Sequence, residues 1–80
     1  MKIPAIKKLV ETYSLSELMA AEEAIVEEQQ PAITVEGEDE GEQLTHVLAA
    51  VWILNYMEDN NSDFKTALRE YTKKVRVSIS

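Results

Sequence analysis

A chain of 80 residues with 45% apolar side chains, 29% charged side chains, 2 Gly and 2 Pro suits one small folded domain over residues 1–80, and excludes both an intrinsically disordered chain and a turn-rich β-sandwich. Cys is absent, which excludes a disulfide scaffold, a thiol redox centre, a thiolate zinc site and an iron–sulfur cluster. The formal net charge of −7 argues against nucleic acid and anionic membrane as partners.

Residues 1–10 hold basic side chains but no apolar h-region and no small-residue cleavage site, so a signal peptide is not expected. The longest uninterrupted apolar run, Val47 to Leu54, has eight residues, far below the ~20 needed to span a bilayer. A cytoplasmic protein is the expectation.

In chain order, Ile3, Ile6, Leu9, Val10 and Tyr13 recur at spacings of three and four, which predicts a first helix over about 3–12. Pro4 suits its first turn, where a missing N–H is no loss. Ser14-Leu15-Ser16-Glu17 matches the S-x-x-E capping box, in which hydroxyl and carboxylate each take a backbone N–H. A second helix is predicted over about 15–29, with Leu15, Leu18, Met19, Ile25 and Val26 as its apolar stripe and Pro31 as its stop. Ile33-Thr34-Val35 is β-branched and predicts an extended segment over about 32–36. It is too short for a sheet of its own, but could pair with the same segment of a second copy. The acidic stretch Glu36 to Glu42 reads as a loop, with Asp39 placed to cap the next helix.

A third helix is predicted over about 41–58. Leu44, Val47, Leu48, Val51, Leu54 and Met57 form one stripe, and Ala50, Trp52, Ile53 and Tyr56 widen it nearly all round. Such a helix is buried on more than one side and therefore central. Trp52, the single Trp, should be mostly buried. Asn60 to Asp63 reads as a turn, with Ser62 or Asp63 capping a fourth helix over about 63–76. Val75 to Ile79 also alternates with period two, so a short C-terminal strand is the competing reading, and a fraying helix end is preferred.

Charge is segregated. Residues 11–63 carry 14 of the 15 acids and no Lys or Arg, whereas residues 64–80 carry Lys65, Arg69, Lys73, Lys74 and Arg76 against Glu70 alone. The basic end helices are therefore expected beside the second helix or the acidic loop, within or between chains. Exposed pairs contribute only ~0–1 kcal/mol each, so charge would choose the arrangement more than stabilise it.

The stretch PAITVEGEDEGEQLTHVLAAVWIL at residues 31–54, with DFKTALREYTKKVR at 63–76, resembles a family of short, uncharacterised bacterial proteins of about this length, described as a domain of unknown function. The resemblance covers the whole chain. It implies no activity, no cofactor and no set of functional residues.

Chemistry-bearing patterns are few. Placing Glu36 at position 1 of an EF-hand loop puts Gly41 at position 6, but Val47 then occupies the position that requires a bidentate acid, so the calcium reading fails. Glu42 and His46 lie one helical turn apart and could share a face as metal ligands. Two ligands fall short of the four a structural zinc site needs, unless a two-fold axis doubles them. A structural or surface histidine is the favoured reading. The serines sit at caps or in the tail, and a nucleophile would have only His46 to serve it. The fourth helix lacks a Gly-rich loop or an aromatic platform for phosphate or nucleic acid.

The expectation is thus an all-α fold of four short helices with the third central. No enzyme activity and no cofactor are expected. The function expected is that of a protein–protein interaction or accessory module acting as a homo-oligomer, with Val47, Val51, Trp52 and Leu54 at or near the interface and any other protein partner unidentified. The alternative is weak metal or small-ligand binding at a symmetric interface near Glu42 and His46.

Overall fold

The computed structural model describes residues 2–79, with side chains through Arg76. Its elements are α1 (Ile3–Thr12), α2 (Leu15–Val26), α3 (Glu40–Asn60) and α4 (Phe64–Ile79), and no strand occurs among the described residues. The fold is all-α.

Local side-chain chemistry sets most of the helix ends. Ser14 and Glu17 form the capping box, with Glu17 N–H donating to Ser14 Oγ at 3.2 Å and Ser14 N–H donating to Glu17 Oε1 at 2.9 Å. Asp39 caps α3 by accepting from Glu42 N–H at 2.7 Å, and Asp63 caps α4 by accepting from Thr66 N–H at 2.9 Å. The bonds from Thr66 hold the Asp63 carboxyl below its ordinary value, the side-chain bond most of all.

Helix α2 ends at Val26, three residues before the expected boundary at 29. The stop is local and precedes Pro31. Glu28 N–H donates to Ile25 O at 3.0 Å and Gln29 N–H to Ala24 O at 2.8 Å, with Glu28 at φ 60°. This is a Schellman closure with Glu where Gly is usual. Helix α3 closes in a left-handed turn at Asn61, φ 50°, a conformation that asparagine tolerates. Helix α4 keeps its helical backbone to Ile79, so the period-two pattern over 75–79 is not used as a strand. Residues 32–36 form irregular coil with bends at 32 and 33 instead of a strand.

Helices α1, α2 and α4 each pack on α3 and touch one another little. That arrangement is why α3 is apolar around most of its circumference. The core joins Ile6, Leu9 and Val10 of α1, Leu18, Ala21 and Ile25 of α2, Val47, Ala49, Ala50 and Ile53 of α3, and Ala67 of α4. Val35 is buried with them and Ile33 is half-buried against them, so the linker is fastened to its own chain by side chains, not by backbone pairing. Two expected core stripes need correction. On α2 the inward line is Leu18–Ala21–Ile25, and Met19 and Val26 follow its members by one residue, a rotation of ~100° that turns them outward. On α1, Ile3 at the helix start is exposed.

Candidate functional site

Sequence reasoning singled out Glu42 and His46, and the structure sends them to different tasks. His46 is fully buried, with 0% exposure. Its Nε2 accepts the backbone N–H of Lys2 at 2.9 Å, and its Nδ1 lies 2.7 Å from the carbonyl oxygen of Glu36. A carbonyl can only accept, so Nδ1 must carry the proton, and Nε2 must then be the acceptor for Lys2. The neutral Nδ1–H tautomer satisfies both partners at once. His46 thereby ties together α3, the residue that precedes α1 and the acidic loop.

Both ring nitrogens are thus committed, and His46 offers no free lone pair to a metal. Glu42 is half-buried in the first turn of α3; its N–H takes the Asp39 cap, and its Oε1 is enclosed without a hydrogen-bond partner. No group of three or more His, Cys, Asp or Glu positioned to hold a metal ion occurs among the described residues. The Glu42–His46 pair therefore does not form a ligand face within the chain.

The backbone around His46 is shaped to match. Gly37 comes directly after the carbonyl that His46 grips, and a Cβ there would lie 2.7 Å from Gln43 Cγ and 2.8 Å from Gln43 N. Only a glycine lets the loop come this close to α3. Gln43 Nε2 in turn donates to Gly37 O at 3.4 Å. Sequence reasoning missed the part that Lys2, Glu36 and Gly37 play around His46, since Lys2 and Glu36 act there through backbone groups that carry no residue-type signal. The available clue was a lone His among apolar neighbours on a helix with several packed sides.

Of the residues expected at an interface, Val47 has 0% exposure and is enclosed by its own chain, so it presents no surface. Much of the apolar surface of α3 that suggested an interface there is covered by α1, α2 and α4, while Leu48 stays 42% exposed. Val51, Trp52 and Leu54 are half-buried against the same core. Trp52, expected to be mostly buried, is half-buried and stacks on Tyr56, with ring centroids 5.3 Å apart and planes 17° apart, and meets Tyr71 at 5.6 Å. Burial beside it raises the Tyr71 phenol above its ordinary value.

The surface offers two other features. A cleft of about 670 Å³ lies between the end of α2, the linker and the start of α3, and is lined by Glu28, Gln30, Thr34, Glu38, Glu40 and Gln43 among others. Its carboxylates repel an anion from the start of α3, where Asp39 already fills the cap. The second feature is a pair of helix faces. Met19 and Val26 on α2 are 52% and 63% exposed and share a shallow groove with Glu22 and Glu23. Helix α4 carries a shallow groove lined by Lys65, Leu68, Arg69, Thr72, Lys73 and Arg76.

No helix among the described residues is long and apolar enough to cross a membrane. The chain belongs to a family of unknown function (DUF6952), whose family model matches residues 1–80. No curated protein and no solved structure matches the chain.

Proposed function

We propose that this member of the family is a non-enzymatic protein–protein interaction module that works as a homo-oligomer. The observation that carries the reading is the outward placement of Met19 and Val26 on α2, beyond the core that α2 itself helps to build. Burial of a large aliphatic side chain contributes roughly 1.5–3 kcal/mol, so two such residues left in water on one helix face reward a partner that covers them. The only histidine is spent on holding backbone segments together, and the serine and aspartate hydroxyl and carboxyl groups at Ser14, Asp39 and Asp63 are spent on helix caps.

Sedimentation equilibrium of the full chain across the micromolar range tests this reading. A mass of at least twice the 9.1 kDa chain, dissociating on dilution, is the expected result. A compact species of single-chain mass up to several hundred micromolar would overturn it.

A further inference from the structure

We propose that the partner surface is a second copy of this chain, with the acidic face of α2 in each copy seated in the basic groove of α4 in the other. This rests on the homo-oligomer reading and names its contact. Three observations carry it. The first is charge. Between residues 11 and 63 there are acids and no Lys or Arg, while α4 holds Lys65, Arg69, Lys73 and Arg76 with Glu70 as its only acid. Within one chain both helices lie on α3 and barely touch each other.

The second observation is spacing. Lys65, Arg69, Lys73 and Arg76 succeed one another at intervals of four, four and three, which sets them on one ridge of α4. Met19, Glu22, Glu23 and Val26 likewise share one face of α2. At ~1.5 Å per residue the α4 ridge from 65 to 76 runs ~16 Å and the α2 face from 16 to 26 runs ~15 Å, so the two are matched in length. The third is the apolar content. Met19 and Val26 stand exposed between the carboxylates of Glu22 and Glu23, and Leu68 lies half-buried at one margin of the cationic ridge. Each face thus sets apolar surface beside one sign of charge, an arrangement that bears on register as well as affinity. In the proposed dimer a two-fold axis makes each contact twice and closes the assembly.

The contact predicts a charge-swap result. Glu22→Lys with Glu23→Lys puts cations opposite the cations of α4, and Arg69→Glu with Lys73→Glu puts acids opposite the acids of α2. Each double variant alone should dissociate at least tenfold more readily than the wild-type chain, with thermal melts confirming that it is folded. In an equimolar mixture both contacts become complementary again, and a heterodimer should reappear at the wild-type concentration range. Wild-type association should also weaken as sodium chloride is raised from low to high concentration.

A second measurement needs no variant. Carbodiimide cross-linking of a mixture of 14N- and 15N-labelled wild-type chains should give mixed-isotope links between Glu22 or Glu23 and Lys65 or Lys73. If the wild-type chain dimerises while neither charge reversal changes the dissociation constant and no such links form, this contact is refuted and the homo-oligomer reading stands. A wild-type chain of single-chain mass refutes both. Binding of wild-type chain to phosphatidylglycerol vesicles that Arg69→Glu with Lys73→Glu abolishes, with the dimer unaffected, would reassign the α4 groove to an anionic surface and refute the contact.

Discussion

Replacing His46 by Phe keeps a buried ring of similar size and removes both polar atoms, which isolates the work of the imidazole. Lys2 N–H and Glu36 C=O then lose their partner. A hydrogen bond contributes a net ~0.5–1.5 kcal/mol, and a group left unsatisfied away from water costs ~1–3 kcal/mol. Both bonds are partly buried, so some water returns to the stranded groups, and the pair together should cost about 2–4 kcal/mol. Against the ~0.05–0.15 kcal/mol per residue typical of folded proteins, an 80-residue chain has roughly 4–12 kcal/mol in total. The loss is thus a large share of the stability, and at ~4–8 °C per kcal/mol it should lower the melting temperature by roughly 8–32 °C.

Urea denaturation followed by circular dichroism measures this, and a graded series sharpens it. The amide nitrogen of Asn overlies Nδ1 and can restore the bond to Glu36, whereas the amide oxygen of Gln reaches the position of Nε2 and can restore the bond from Lys2. His46→Asn and His46→Gln should both be more stable than His46→Phe and less stable than the wild type. His46→Ala adds a cavity and should be the worst of the four. Amide exchange at Lys2 should quicken in the Phe variant. If His46→Phe matched the wild-type midpoint and slope, the hydrogen bonds would contribute nothing, and the histidine would be an apolar filler.

Local geometry sets three further outcomes. Gly37→Ala drives a Cβ against the backbone nitrogen of Gln43 at 2.8 Å, and should destabilise the fold by ~1–3 kcal/mol in the same urea assay. Glu28→Gly should do the reverse: the left-handed residue at φ 60° is strained by ~1–2 kcal/mol with a side chain, Gly recovers that strain at some entropic cost, and a net gain of ~0.5–1 kcal/mol is expected. Asp63→Ala should lower the melting temperature at neutral pH by removing the α4 cap. Because the folded Asp63 carboxyl titrates below its ordinary value of 3.8, the contribution is present above that pH and lost as pH falls through the folded value. Melts of wild type and Asp63→Ala should therefore converge in strong acid.

Hydrophobic spacing located all four helices because each outer helix has a single packed side, and a single side leaves a clean period of three and four. It misjudged which residues on that side point inward. Met19 and Leu18 look equivalent in a stripe, yet one residue of rotation separates a buried position from an exposed one, and only the docking angle on α3 decides between them. The end of α2 was misplaced for a different reason. Glu28 bears no residue-type mark of a left-handed turn, and the closure there depends on backbone bonds to Ala24 and Ile25. The caps were legible because Ser14, Asp39 and Asp63 each act on an N–H group three residues away, within reach of local reading. The His46 contacts were not, since Lys2 is 44 residues distant and contributes only a backbone N–H.

The shape of the molecule explains why apolar residues remain outside at all. Its extents are 31 × 29 × 19 Å. A helix with its side chains is ~10–12 Å across, so the shortest dimension admits only two layers of helix. In such a slab every outer helix keeps one side in water, and a chain this small hides only about 60% of the surface its unfolded form exposes. With 45% apolar residues, most of the apolar side of α3 turns inward because three helices pack on it, but Met19 and Val26 of α2, Ile3 of α1 and Leu48 on the uncovered side of α3 have no second layer to enter. A third layer is what a second copy would provide. The charge segregation then matters because bare apolar slabs stack in many registers, whereas an acidic α2 face against a basic α4 groove favours one.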